Sequence, residues 1–207
     1  MKRYLLVIFL GLFMVSDMGT YAEAASDKNL PKIGSVKINA HPANLRGKTV
    51  VLRWNGKMNG DKFLTRFGEL LTQQVKNVRV VKMWEVDKST AAVSKSLEDS
   101  VAVAQKIAAQ KPTLVIASQA DCGGCTAWLV VDQLNLEKLR IPTVTITTTA
   151  FADIAKDVAK DQGVGDMSFV VVEHPIAGWN LEDVRKKMDG VFPEVMRAAT
   201  KWQPAVR

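Results

Sequence analysis

An α/β fold, with a mostly parallel sheet covered by helices on both faces, is what this 207-residue sequence predicts. Three observations point to it. Short runs rich in Val, Ile and Thr recur along the chain. They are largely apolar and short, which suits strands buried on both faces. Segments with apolar residues at every third or fourth position separate them, so parallel strands can be joined through helices.

The runs are Thr49–Trp54, Val78–Trp84, Thr113–Ser118, Thr143–Thr147 and Ser168–Val172. Between them, Phe63, Phe67, Leu70, Leu71 and Val75 mark a first helix, and Leu97, Val101, Ala104 and Ala108 a second. Trp128, Val131, Leu134 and Leu139 repeat more loosely, and Phe151, Ile154, Ala155 and Val158 make the fourth helix. A last helix starts near Leu181, where Asn180 can cap it and Glu182 and Asp183 complement its dipole. Right-handed crossovers and this chain length favour a three-layer, doubly wound, five-stranded sheet of the flavodoxin or Rossmann-like kind, in a single domain.

The chain does not begin with that domain. Lys2 and Arg3 make a basic start, Leu5 to Val15 form an uncharged apolar run, and Ala22-Glu23-Ala24 offers small residues at a peptidase site. This is the pattern of a secretory signal over residues 1–24, cut near Ala24. The alternative is an uncleaved anchor, but the run is far short of the ~20 residues a spanning helix needs. Residues 25–48 read as an irregular lead-in punctuated by Pro31, Gly34, Pro42 and Gly47, and residues 49–207 as the α/β domain. The expected location is therefore the periplasm or the exterior, with no stable membrane anchor.

The net charge of +7 is unchanged by removing the signal, because Lys2 and Arg3 offset Asp17 and Glu23. The basic residues are scattered with few aromatics among them, so nucleic acid is not an expected partner.

In parallel α/β sheets ligands bind outside the carboxyl ends of the strands. Asn55, Lys57 and Asn59 follow the first strand, and Gln119 to Thr126 the third. Thr148 and Thr149 follow the fourth, and Glu173, His174 and Pro175 the fifth. The strongest chemical signal among them is Asp121-Cys122-Gly123-Gly124-Cys125-Thr126. A strand leads in and an apolar helix leads out, so Cys122 falls at the start of a helix. There the free amides and the dipole favour a thiolate over the reference thiol of pKa ~8.5. Cys125 lies one turn later, placed to resolve a mixed disulfide. Asp121 can cap the helix or exchange a proton.

Other readings of the pair stay open. These are the only two cysteines. A structural disulfide between them would close a short loop and constrain little of the unfolded chain. A tetrahedral metal site would need His41 and His174, the only histidines, as further ligands. A thioredoxin fold is excluded: only one helix separates Cys125 from Ile141-Pro142-Thr143, too little for that topology. His174 is a candidate base or donor, Asn55 and Lys57 candidates for holding an anionic group, and Asn59, Thr126 and Thr149 further substrate-binding candidates. No phosphate-cradling glycine loop follows the first strand, so no nucleotide or other cofactor is expected.

The runs DCGGCTAW, LRIPTVTITTTAFADIAK and VVVEHPIAGW, with Asn55-Gly56-Lys57-Met58-Asn59-Gly60, resemble the UGSC-like family. That family is related to selenoproteins and named for a selenocysteine-Gly-Ser-Cys motif. The resemblance covers roughly residues 49–180, places Cys122 in the selenocysteine position and Cys125 in the resolving one, and shows Gly124 where the motif has Ser. It implies a reacting nucleophile at Cys122. Through a more distant likeness to the B components of glycine and proline reductases, it implies reductive chemistry. The expectation is an exported thiol-dependent oxidoreductase acting on a small molecule or thiol substrate, with a separate electron donor. The alternative is a periplasmic protein that binds a soft metal or organometal through the same two thiols.

Overall fold

The computed structural model describes residues 30–204. The signal segment 1–24 and the first residues of the lead-in lie outside them. Five strands form one sheet: β1 (Thr49–Trp54), β2 (Arg79–Lys82), β3 (Leu114–Ala120), β4 (Thr143–Thr148) and β5 (Phe169–Val172). Every pairing is parallel and the order is β2-β1-β3-β4-β5. This is the doubly wound arrangement expected, and the order reverses between β1 and β3. All residues of β3 and β4 are buried, as continuous apolar runs require in a sheet covered twice.

Six helices surround it: α1 (Gly60–Gln74), α2 (Met83–Val86), α3 (Leu97–Ala108), α4 (Gly123–Lys138), α5 (Ala152–Asp161) and α6 (Leu181–Lys201). On one face α1 and α6 pack together over Val50, Leu52, Ile116, Val144 and Ile146. On the other, α4 lies between α3 and α5 and buries most of its length. Each large apolar side chain removed from water contributes about 1.5–3 kcal/mol before entropy is counted. Asn180 caps α6 as its position predicts, accepting the Asp183 amide at 3.0 Å.

Two strand boundaries differ from the sequence reading by more than one residue. The second strand ends at Lys82, and Met83–Val86 coil into the short helix α2. Periodicity could not separate these, because an apolar run this short suits either state. The third strand runs on to Ala120, so Gln119 and Ala120 are strand residues. It does so through a bulge: Ala117 pairs with Thr145 but Ala120 with Thr147, three steps on β3 against two on β4. As a result Ala117 and Ala120, three apart, both pack on Leu129 of α4. A regular strand would put them on opposite faces.

Residues 30–48 form no helix or strand. Ile33 and Ile38 pack on α4 and α5, whereas Leu45 enters the core under α1. The segment thus crosses beneath the amino ends of the strands. Asn39 binds the buried carboxylate of Glu137 with its amide nitrogen (2.8 Å) and its side chain (2.6 Å). No helix among the described residues is long and apolar enough to cross a membrane.

Candidate functional site

The carboxyl ends of β1, β3, β4 and β5 bring their polar residues to one rim. Cys122 is the N-cap residue of α4, in extended conformation, and no side chain caps that helix. The backbone ladder begins with Thr126 N–H donating to the Cys122 carbonyl at 2.9 Å. The earlier amides of the first turn therefore remain as donors, with the positive end of the dipole behind them. Cys122 is partly exposed and Cys125 is 2% exposed. Their sulfurs are joined as a disulfide, with Cα atoms 5.4 Å apart. Cys125 Sγ also lies 3.2 Å from the Cys122 carbonyl, so on reduction its S–H has an acceptor waiting.

Asp121 does not cap α4. Its carboxylate turns towards the loop after β5, where the amides of Ile176 (3.2 Å) and Ala177 (3.0 Å) donate to Oδ2. Gln119 Nε2 donates to the same oxygen at 2.7 Å. Oδ1 meets His174 Nδ1 at 2.6 Å and accepts from Thr148 Oγ1 at 3.1 Å. The bulge in β3 makes this possible, because the extra residue re-aims Gln119 and the chain that follows it. The carboxylate side chain is 3% exposed, the imidazole 37%. Phe151 lies edge-on to the His174 ring with centroids 5.6 Å apart.

The other candidate residues divide into two groups. Asn55 is buried and bridges β1 to β3, its Nδ2 donating to the Gln119 carbonyl (2.8 Å) and its Oδ1 accepting the Gln119 amide (3.2 Å). Asn59, at φ 68°, is buried too. Its Nδ2 donates to the carbonyls of Ile176 (3.3 Å) and Trp179 (2.9 Å), which ties the loop after β1 to the loop after β5. Thr126 is fully buried and donates its hydroxyl to the Cys122 carbonyl at 2.6 Å. These three side chains spend their polar atoms on holding the rim in shape. Lys57 and Thr149 are the more open ones. The Lys57 ammonium has no hydrogen-bond partner among the described residues, and Thr149 Oγ1 accepts the His174 amide at 3.2 Å.

Two glycines are dictated by close approach. A Cβ on Gly60 would fall 2.6 Å from Gln119 Oε1 and 2.7 Å from the Trp54 ring. Gly56, at φ 84°, would place one 2.5 Å from the Ala91 carbonyl oxygen. Lys187 closes the far side of the rim, donating to the carbonyls of Glu173 (2.5 Å) and Pro175 (3.0 Å) above the Trp179 ring. Burial pushes its ammonium below the ordinary lysine range.

Gln119 and Thr148 stand on the rim in the sequence, but nothing local marks them as partners of Asp121. That relation depends on the bulge and on pairing between remote segments. The two histidines are kept apart. His41 sits at the opposite end of the sheet, with Nδ1 2.6 Å from the Ala198 carbonyl and its ring beside Trp202. It cannot complete a site at Cys122, and among the described residues no group of three or more potential ligands is gathered for a metal ion.

No curated protein matches the chain. The sequence model of the UGSC family does, over residues 22–201, which takes in the sheet, all six helices and the thiol pair. The chain belongs to the UGSC family.

Proposed function

We propose that this protein is an exported, thiol-dependent redox protein that cycles between the Cys122–Cys125 disulfide and two thiols. The observation that carries the reading is the inequality of the two sulfurs at the start of α4. Cys122 is within reach of solvent, and Cys125 is buried directly behind it. A substrate meets Cys122 first, and Cys125 completes the exchange. Membership of the UGSC family, whose resemblance implies a reacting nucleophile at Cys122, supports the same assignment. Asp121 and His174 serve the protons of the exchange, and the Lys57 ammonium, without a hydrogen-bond partner among the described residues, offers with Thr149 a hold for an anionic group. A separate electron donor restores the thiols.

The test is redox equilibration of the full chain in glutathione buffers, with the thiols counted by alkylation and mass. A reversible two-electron transition is expected. Cys122→Ser is expected to abolish reaction with added disulfides, and Cys125→Ser to stop it at a mixed disulfide. Equal behaviour of the two single variants would overturn the assignment. The second reading, capture of a soft metal ion, is favoured by two sulfurs gathered without a third ligand, which suits a two-coordinate ion. Stoichiometric retention of copper(I) by the reduced protein, with no disulfide cycling, would establish it instead.

A further inference from the structure

Asp121 is surrounded by donors. Oδ2 faces the Gln119 side-chain amide and two backbone N–H groups, and Oδ1 faces the Thr148 hydroxyl and His174 Nδ1. Three N–H groups donate to Oδ2, so Oδ1 is the oxygen that faces the ring. With Asp121 as the acceptor of that contact, His174 Nδ1 is the donor and Nε2 keeps a lone pair. The Nδ1 edge of the ring is enclosed by Asp121 and by Thr148, itself fully buried. The His174 side chain as a whole is 37% exposed, and the Nδ1 edge is the enclosed one. Cys122 follows Asp121 directly in the chain, so the ring that Asp121 holds and the partly exposed Cys122 stand on the same rim.

We propose that His174 Nε2 is the proton carrier for Cys122, that Asp121 is the residue that positions it, and that the substrate is a disulfide. This rests on the thiol-redox reading above and divides the labour within it. In the first step the Cys122 thiol gives its proton to Nε2 and its sulfur attacks one sulfur of the substrate. A bond forms between them, the substrate S–S bond breaks, and the departing thiolate takes the proton from Nε2. In the second step Cys125 gives its proton to Nε2 and attacks Cys122 Sγ. The Cys122–Cys125 bond forms, and the second half of the substrate leaves as a thiol with that proton. Two electrons pass from two protein thiols to one disulfide, and a dithiol donor reverses the change. One carrier moving one proton per step matches disulfide exchange, in which each step releases one thiolate.

Asp121 is the charged group in contact with the His174 ring, Glu173 precedes it in the chain, and Lys187 binds the Glu173 carbonyl, while Thr148 and Phe151 meet the ring uncharged. The experiment follows release of pyridinethione from 4,4′-dithiodipyridine by the reduced full chain between pH 5 and 9. In a Cys125→Ser background, adding His174→Gln is expected to lower the rate at pH 7 at least tenfold. The difference should close by pH 9, where the thiol ionises unaided, and free imidazole should restore part of the rate. Asp121→Asn is expected to lower the pH 7 rate with little response to imidazole, because the ring is present but misplaced. An unchanged pH profile in His174→Gln overturns the proposal whether or not Asp121→Asn folds. If the native protein then still ends as the internal disulfide, the thiol-redox reading stands without it. If the native protein halts at a mixed disulfide, the redox reading itself falls.

Discussion

Two acid–base pairs flank the start and the middle of α4, and they are built to opposite ends. Asp132 meets Arg53 at 2.9 Å with side chains 1% and 0% exposed. Ser94 donates to the other Asp132 oxygen at 2.7 Å, and Arg53 also donates to the carbonyls of Ala92 and Trp54. Burial works against charge on both partners, raising the carboxyl and lowering the guanidinium, while each holds the other charged. Asp121 and His174 bury the acid and leave the base open. The sealed pair fastens the loop of Ala92 and Ser94 to β1 and α4 and has no route to a ligand. The open pair uses the same kind of contact to orient a ring that solvent can reach. Exposure of one partner, not the presence of a charge pair, is what separates the open pair from the sealed one.

Breaking the sealed pair should be the most damaging change. Asp132→Asn is expected to cost about 3–5 kcal/mol, because it leaves Arg53 buried without a counter-charge. Urea denaturation measures this, and a loss below ~1 kcal/mol would contradict the fastening role. Replacing both partners, with Arg53→Met and Asp132→Leu together, should recover most of it.

Asp121→Asn should cost less, about 1–3 kcal/mol, since the site reorganises beside an open imidazole and loses charge-assisted bonds. His174→Gln, at a part-exposed position, should change stability by under ~1 kcal/mol while greatly slowing the reaction of Cys122. If instead it destabilises as much as Asp132→Asn, the contrast between the two pairs fails.

The smallest effect belongs to His41, at the far end of the sheet. Burial lowers its proton affinity below the ordinary value of 6.5, against the raising effect of the Ala198 and Thr143 backbone. The folded state then binds fewer protons than the unfolded one, so stability is full above that pH and declines as pH falls below it. Buried Glu137 is shifted upward, and its contribution runs the other way, declining as pH rises above the ordinary glutamate range. Comparing the native chain with His41→Gln isolates the histidine: the acid-side decline should be shallower in the variant.

Much of the fold was legible because its signals are local. Continuous Val, Ile and Thr runs announce strands covered twice, helical spacing between them announces parallel crossovers, and the handedness of those crossovers leaves few strand orders. The thiol pair at a helix start was equally legible, since a strand before it and an apolar helix after it place Cys122 at the N-cap. What the sequence did not carry was partnership. Asp121 could equally cap its own helix or exchange a proton, and only the packed structure turns it to amides more than fifty residues away. Asn55 and Asn59 looked like ligands for a substrate, and the structure commits them to backbone groups of neighbouring loops.

The extra residue between Ala117 and Ala120 decides where Gln119 and Asp121 point, yet no local turn signal in that run marks it. By itself, then, the sequence determined the layers, the doubly wound sheet and the site's chemical element, sulfur at a helix N-terminus. Tertiary structure alone decided the strand order, which cysteine is open, which imidazole reaches solvent and which acid holds it. Periodicity and capping report on neighbours in the chain, whereas hydrogen-bond partners are chosen by the register of strands that meet only once the core is packed.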